Sequence, residues 1–189
     1  MRRLLEKYQE YALSVSVTTR APRPGEEDGK AYFFRTVEEV EQMIREDQLL
    51  EYARYVDNYY GTPRPYVEEK LSEGKNVILE IEIQGAMKIK EKIPEAVLIF
   101  VTPPNMEELE RRLVGRGTEA PEVIRSRLSR ASEEAEGMEA YDYLLINDEI
   151  DTCVEKMHQL IQLQHEKTAY HLDFLGKMRE DLYHLDERN

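Results

Sequence analysis

The sequence predicts an α/β protein in which helices flank a mostly parallel sheet. Short, strongly apolar segments that alternate with helical stretches indicate the strands of this sheet: 76–83, 96–102 and 141–147. Residues from about 14 to 66 instead hold several short, aromatic-rich extended segments, which are typical of a small β-rich insertion. At 189 residues, the chain is long enough for one domain with its own core.

The first half of the chain carries clear helix-end signals. Thr36 and Glu39 have the spacing of a capping box, Pro63 and Pro65 favour a helix start, and Gly74 favours a helix end. The predicted elements are a helix over 2–11, a strand over 13–17, a strand over 32–35, a helix over 37–47, an extended segment over 49–60 that turns at Gly61, and a helix that Gly74 closes.

The second half of the chain alternates strands with helices. Gly85 is predicted to open a helix that follows the strand over 76–83. The other predicted helices are 106–113, 122–139 and a long helical tract from about residue 150.

Composition excludes several classes of protein. With 39 acidic and 26 basic residues the net charge is −13, which argues against binding nucleic acid through a basic face. Cys153 is the single cysteine, so the sequence predicts neither a disulfide framework nor a cysteine metal site, and a cytoplasmic setting is expected. No apolar stretch has the length of a membrane helix, so no membrane association is expected.

Arg20 and Arg23 follow the predicted strand over 13–17 and lie on a loop stiffened by Pro22 and Pro24. Guanidinium groups match phosphate geometry, and proline lowers the entropy lost when such a loop is ordered. The loop therefore indicates an anion clamp. An ordinary surface loop with solvated arginines is the alternative.

Glu80 and Glu82 lie two residues apart on the predicted strand over 76–83, so they are expected to share a face. Carboxylates on a buried strand are costly unless they have partners. They indicate either a ligand site at the carboxyl end of the sheet or a solvated pair at the end of a strand.

Several motifs, in order along the chain, resemble the guanylate kinase family over roughly residues 2–165. They are SVTTRAPRPGE, DGKAYFF, the EY of LLEYA, NYYGT, ILEIEIQGA, FVTPP, RRLVGRGTE and LLINDE. The resemblance implies the fold of the P-loop nucleoside monophosphate kinases, with a GMP-binding subdomain over about 14–66 and a lid loop over about 115–121. It implies transfer of the γ-phosphoryl group of ATP to GMP, with Mg²⁺ accompanying the ATP.

The resemblance also implies roles for individual side chains on the GMP side. Those that would hold the GMP phosphate are Arg20, Arg23, Tyr32 and Tyr60. Ser16 and Thr62 would contact the guanine, and Glu51 would accept hydrogen bonds from its N1–H and its amine. A carboxylate suits that edge because it only accepts, and adenine does not present the same two donors. Glu80 and Glu82 would contact the GMP site and, through water, Mg²⁺, although the family often has aspartate at these positions. Without the motifs, strand packing for the tyrosines and a solvated carboxylate for Glu51 remain alternatives.

On the ATP side, the resemblance implies that Arg112, Arg116 and Arg127 act catalytically by surrounding the migrating phosphoryl group with positive charge. Arg112 and Arg116 would bind the ATP phosphates, and Asn147 would lie beside the adenine. Helix-surface arginines paired with nearby glutamates are the alternative.

The 189 residues contain no G-x-x-x-x-G-K-[ST] segment. In the family this P-loop precedes the helix that here begins near Arg2, and it follows a strand in the middle of the sheet. We interpret the sequence as N-terminally truncated, with Met1 as a true start as the alternative. The sheet is expected to have two unpaired inner edges. The chain is expected to bind GMP weakly or not at all and to lack kinase activity.

Residues from about 167 to 189 form a tail largely beyond the resemblance. Leu175, Met178, Leu182 and Leu185 are spaced as an a/d stripe. The tail is expected either to pack on its own domain or to form a homodimer. A non-catalytic module of guanylate kinase type that binds phosphopeptides through the arginine clamp is the alternative function; the GRGTE lid motif argues against it.

Overall fold

The computed structural model describes residues 1–55, 57–115, 124–125, 128–129, 131–132 and 135–186. It divides into two compact units, Met1–Ile146 and Asn147–Asn189. The first unit carries the strands and most of the predicted site residues.

The first unit is a mixture of short strands and helices. Its strands are β1 (Tyr11–Leu13), β2 (Val17–Thr18), β3 (Phe33–Phe34), β4 (Leu49–Tyr55), β5 (Asn58–Pro63), β6 (Asn76–Ile78), β7 (Ile99–Thr102) and β8 (Tyr143–Ile146). Its helices are α1 (Arg2–Lys7), α2 (Val37–Arg45), α3 (Arg64–Ser72), α4 (Ile83–Lys92) and α5 (Met106–Gly115), with a 3₁₀ turn at Met138–Ala140. The predicted α/β class is confirmed.

The parallel strands form two separate pairs. β1 pairs with β6, with Tyr11 opposite Asn76, and β7 pairs with β8, with Ile99 opposite Tyr143. Within the described ranges no strand ladder joins β6 to β7.

The insertion forms a four-stranded sheet in the order β3-β2-β5-β4. β5 runs antiparallel to both of its neighbours, so that Tyr60 lies opposite Thr18 on β2 and opposite Ala53 on β4. β2 and β3 are parallel. β2 and β4 therefore flank the middle of β5.

The predicted strands have different bounds in the structure, and three of the extended segments differ most. The predicted strand 13–17 is two strands, because β1 pairs with β6 whereas β2 pairs with β3 and β5. The predicted strand 76–83 ends at Ile78, where its partner β1 also ends. Gly61 is not a turn but lies inside β5, and the reversal between β4 and β5 contains Asp57, whose φ is +65°.

The predicted helix starts are confirmed in one case and shifted in another. Thr36 and Glu39 form the predicted capping box, with both reciprocal hydrogen bonds present. α4 begins at Ile83 instead of Gly85, since Glu82 is its N-cap residue. α1 ends at Lys7, because Tyr8 is extended and leads the chain into β1.

Strand β4 joins two hydrophobic clusters. Leu49 packs with Val17 and Val40, whereas Leu50 packs with Val67 and Ile89. Successive side chains of a strand point to opposite faces, so these two leucines tie β4 to α2 on one side and to α3 and α4 on the other. Each buried leucine stabilises the fold by about 2 kcal/mol. The next residue of the strand, Glu51, is therefore fixed in a buried position.

The second unit consists of helices. α6 (Ile150–His165) is capped by Glu149, whose side chain accepts hydrogen bonds from the backbone of Asp151 and Thr152. A 3₁₀ turn at Thr168–Tyr170 leads into α7 (Leu172–Asp186). No described helix is both long and apolar enough to cross a membrane.

Candidate functional site

Most of the predicted phosphate and base residues lie on the four-stranded sheet or on the loop that leaves β2. Tyr60 and Thr62 lie two residues apart on β5, so both side chains point to the same face of the sheet. Glu51 lies on the neighbouring strand β4, and Arg20 lies just after β2. The structure thus brings Arg20, Tyr32, Tyr60, Thr62 and Glu51 to one sheet.

The Glu51 carboxylate is buried and hydrogen-bonded to Thr62. Its Oε1 atom accepts a 2.7 Å hydrogen bond from the Thr62 hydroxyl, and the two residues are 6% and 0% exposed. Burial raises the pKa of the Glu51 carboxyl, although the Thr62 hydrogen bond and the charges of Lys88 and Lys92 oppose the shift. A buried carboxylate that keeps unused acceptor positions is suited to bind a pair of N–H donors.

Glycines allow close packing around Glu51. A Cβ atom at Gly85 would lie 3.0 Å from Glu51 Oε2, and one at Gly61 would lie 2.9 Å from the Glu51 carbonyl oxygen. Both positions need glycine because a larger side chain would push against the carboxylate or against the backbone that carries it. Gly85 is in the first turn of α4, so this helix forms the wall beside the carboxylate.

Arg20 is held by Glu26 in a two-point ion pair. Arg20 Nη1 donates to Glu26 Oε2 over 3.0 Å, and Nη2 donates to Oε1 over 2.9 Å. The backbone N–H of Arg23 also donates to Glu26 Oε2, over 2.7 Å. The hydrogen bond from Arg20, then that from Arg23, lowers the pKa of the Glu26 carboxyl.

Aromatic side chains enclose the Arg20 guanidinium. Its Cζ atom lies 5.4 Å from the ring centre of Tyr32 and 5.8 Å from that of Phe34. The Tyr60 ring meets that of Tyr32 edge to face at 6.0 Å. A guanidinium that two tyrosine side chains adjoin offers N–H donors suited to a phosphate. The Arg23 side chain is exposed at the same loop.

Three other residues were predicted to contact GMP, namely Ser16, Glu80 and Glu82. Ser16 is half-buried, and its carbonyl accepts from Phe33 N–H. Glu80 and Glu82 are exposed and follow β6 instead of lying within it, so the expectation that they share the face of one strand was wrong. They do lie at the carboxyl end of that strand, where parallel sheets bind ligands.

The predicted ATP-side residues are only partly described. Arg112 lies on α5, where its Nε donates to Glu108 Oε1 over 2.5 Å. The hydrogen bonds from Arg111 and Arg112 lower the pKa of Glu108 to about 2. Arg116, Arg127 and the lid loop beyond Gly115 lie outside the described residues. Asn147 begins the second unit, and its contact with adenine stays a prediction.

The carboxylates Glu80 and Glu82 have the right chemistry for Mg²⁺, which prefers oxygen ligands and keeps several waters. Among the residues described, no group of three or more His, Cys, Asp or Glu side chains is arranged to hold a metal ion directly. These two residues therefore fit water-mediated contact with a metal that arrives with a nucleotide.

Two residues of the site were not singled out from the sequence. The first is Glu26, the last residue of the motif SVTTRAPRPGE. Gly25 has a φ of +86° and turns the chain, so that the Glu26 carboxylate reaches back to Arg20. Gly85 was read only as a helix start. Proximity to Glu51 could not be read from spacing, because 34 residues separate the two positions.

The fold and the site together define an α/β protein with a buried carboxylate, Glu51, at one part of the candidate site and an oriented arginine, Arg20, at another. The family model for guanylate kinase matches residues 1–164. The chain is 53% identical to a guanylate kinase of Lactococcus lactis over 180 residues, which are 95% of this chain and 88% of that protein. It is 51% identical to one of Oceanobacillus iheyensis over 180 residues, or 95% of this chain and 87% of that protein.

A solved structure shows the same similarity. The crystal structure of guanylate kinase from Anaplasma phagocytophilum matches with a TM-score of 0.72 and 35% identity, covering 89% of this chain and 82% of that one. The chain belongs to the guanylate kinase family.

Proposed function

We propose that this chain carries the GMP-binding half of a guanylate kinase, an enzyme that transfers the γ-phosphoryl group of ATP to GMP to give GDP and ADP. The observation that carries the proposal is the placement of Glu51 and Arg20 on one sheet, with Tyr60 and Thr62 between them on β5. The buried carboxylate fits the guanine, and the arginine with its tyrosines fits the phosphate.

Guanine would be read by Glu51. The N1–H and the exocyclic amine of guanine are adjacent donors, and Glu51 can accept both. Adenine offers an unprotonated N1 at that edge, which would repel the buried carboxylate and leave its remaining acceptor positions unpaired. A site built in this way discriminates by the cost of the unpaired group. Ser16 and Thr62 would add contacts to the base, with Thr62 also orienting Glu51.

The GMP phosphate would be bound by Arg20, Arg23, Tyr32 and Tyr60. A phosphate dianion is already a nucleophile, so the chain needs to hold it in line with the ATP γ-phosphate instead of removing a proton from it. Arg112, Arg116 and Arg127 would supply positive charge to the migrating group, with Asn147 beside the adenine. Mg²⁺ bound with ATP would neutralise phosphate charge, and Glu80 and Glu82 would contact it through water.

Calorimetric titration of the 189-residue chain with GMP, AMP and guanosine tests the acceptor half. We expect weak binding of GMP and at least tenfold weaker binding of AMP and of guanosine, since each lacks one of the two recognised groups. Equal affinity for GMP and AMP would contradict the assignment of Glu51 as the reader of guanine.

The donor half is tested by turnover. The 189 residues lack the P-loop amides, lysine and hydroxyl, so we expect no GDP from GMP and Mg·ATP above the blank. Formation of GDP by the purified chain would contradict the need for that loop. The match to proteins named guanylate kinase and the position of Glu51 favour the kinase over the phosphopeptide-binding alternative.

The tail is proposed to form a homodimer in the cytoplasm. On α7, Met178 and Leu182 are 46% and 59% exposed, and they belong to the a/d stripe of the tail. Analytical ultracentrifugation of the chain and of a Met178→Glu/Leu182→Glu variant tests this. A concentration-dependent dimer that the double variant abolishes is expected; a monomer at all concentrations would contradict it.

A further inference from the structure

The hydrogen bonds of Arg20 leave one edge of its guanidinium for a ligand. A guanidinium has five N–H donors in a fixed plane. Nη1 uses both of its hydrogens, one on Glu26 Oε2 and one on the Ala21 carbonyl over 2.7 Å, and Nη2 uses one on Glu26 Oε1. The remaining donors are Nε–H and the second hydrogen of Nη2, which lie side by side on the opposite edge.

The Arg20 guanidinium lies over the Tyr32 ring, and the Tyr60 ring meets the Tyr32 ring edge to face. Rotation of the guanidinium would turn the Nε/Nη2 edge in another direction, so the two-point ion pair with Glu26 fixes the direction in which this edge is presented.

The same carboxylate also fixes the second arginine of the clamp. Glu26 Oε2 accepts from the Arg23 backbone N–H over 2.7 Å, and the Glu26 backbone N–H donates to the Arg23 carbonyl over 3.0 Å. Glu26 therefore ties the backbone that carries the Arg23 side chain to the guanidinium of Arg20. The Arg20 and Glu26 side chains are only 16% and 21% exposed, which limits the competition from water for this ion pair.

We propose that Glu26 is a positioning residue that sets the geometry of the phosphate clamp by orienting Arg20 through its Nη1/Nη2 end and Arg23 through its backbone. The inference rests on the proposed GMP-binding function. In this role an acidic residue strengthens the binding of an anion. The gain in affinity from ordering Arg20 and Arg23 exceeds the loss from repulsion between the Glu26 carboxylate and the phosphate.

In the opposite role, the Glu26 carboxylate occupies the position of the phosphate, and GMP must displace it. The two roles predict opposite changes in the GMP affinity of Glu26→Gln. If Glu26 positions the arginines, Glu26→Gln weakens GMP binding, since the neutral amide cannot accept at both oxygens. If Glu26 competes with the phosphate, the same variant binds GMP more tightly.

The experiment compares GMP and guanosine binding to wild type, Glu26→Gln and Glu27→Gln. Glu27 is the matched control, because it is the next residue and pairs with Lys30 on the surface, with its side chain 65% exposed. We expect Glu26→Gln to weaken GMP binding about tenfold, with guanosine binding unchanged, and Glu27→Gln to leave both unchanged. Tighter or unchanged GMP binding in Glu26→Gln would overturn the proposal. Absence of GMP binding by wild type would overturn the proposed function instead.

A second measurement does not depend on ligand binding. Hydrogen exchange of the Arg20 Nη hydrogens that are bonded to Glu26, followed by ¹⁵N NMR, reports whether the guanidinium is held. We expect exchange at Arg20 to be at least tenfold faster in Glu26→Gln than in wild type and Glu27→Gln, which should be alike. Equal exchange in all three proteins would show that Glu26 does not orient Arg20 and would overturn the proposal.

Discussion

The Thr62 hydroxyl donates a 2.7 Å hydrogen bond to Glu51 Oε1, and neither side chain is appreciably exposed. From the sequence, both residues were predicted to contact guanine separately. The structure shows instead that they form a unit, in which β5 orients the carboxylate of β4. Glu51 retains Oε2 and further acceptor capacity on Oε1 for a ligand. Its neighbours therefore determine how well it can read a base.

Replacing Thr62 by valine is expected to lower both stability and GMP affinity. Valine has nearly the shape of threonine but no hydroxyl, so Glu51 loses this hydrogen bond while it remains buried. We expect a loss of about 2 kcal/mol in the free energy of unfolding at neutral pH, measured by urea denaturation. Thr62→Ser, which keeps the hydroxyl, should lose much less. Equal losses in the two variants would contradict the role given to the hydroxyl.

Glu51→Gln should affect binding and stability in opposite directions. The amide can accept at only one position and presents donors toward guanine, so GMP affinity should fall at least tenfold. Burial raises the pKa of Glu51, which means that the folded state disfavours the ionised form. Stability from this group is therefore greatest below the ordinary glutamate pKa and is lost as pH rises through the raised pKa.

The stability of Glu51→Gln relative to wild type should accordingly increase between about pH 4 and neutrality. Denaturant titrations of both proteins across that range give the comparison. A difference that is constant with pH would show that the Glu51 carboxyl titrates alike in the folded and unfolded chains.

Base recognition should weaken on acidification at a higher pH than an ordinary glutamate would cause. Protonated Glu51 loses acceptor capacity, and burial moves its protonation upward in pH. Guanosine is the suitable ligand because it has no phosphate that titrates. Its affinity, measured by NMR titration, should fall as pH drops through the raised pKa in wild type but stay level in Glu51→Gln. A level profile in both would refute the coupling.

Gly85→Ala should reduce GMP affinity about tenfold with little change in stability. The new Cβ would lie 3.0 Å from Glu51 Oε2, so the carboxylate must shift by a few tenths of an ångström. The cost of that shift is offset by the gain in helix propensity, about 1 kcal/mol. Gly176→Ala is the control: it lies in α7 with no atom near the added Cβ, so it should stabilise the chain without altering GMP binding. Unchanged GMP affinity in Gly85→Ala would contradict the close approach to Glu51.

Local signals in the sequence predicted those parts of the fold that local interactions determine. The Thr36–Glu39 capping box needs only four residues and was found as predicted. The Pro63 and Pro65 region does open α3, and Gly74 follows its end with a φ of +75°. The bounds of strands were predicted less well because pairing partners far along the chain decide them. β6 ends at Ile78 because its partner strand β1, more than 60 residues earlier in the chain, ends at Leu13, which lies opposite Ile78.

In the candidate site too, local features were predicted from the sequence and features that depend on distant contacts were not. Arg20 and Arg23 were identified as a clamp because their residue types and the prolines around them lie in one loop. Glu26 was overlooked because an acidic residue beside two arginines usually indicates a surface ion pair. Its importance follows from the turn at Gly25, which brings it onto both Arg20 and the Arg23 backbone. The contact of Gly85 with Glu51 depends on how α4 packs against β4, which no local pattern encodes.

The central claim is that one sheet of this chain reads guanine at Glu51 and phosphate at Arg20. A crystal structure of the chain with GMP tests it most directly. We predict the N1–H and amine of guanine within hydrogen-bond distance of the Glu51 carboxylate. We also predict the phosphate on the Nε/Nη2 edge of Arg20, with the Glu26 ion pair intact. GMP bound elsewhere, or with its phosphate away from Arg20 and its base away from Glu51, would contradict the account.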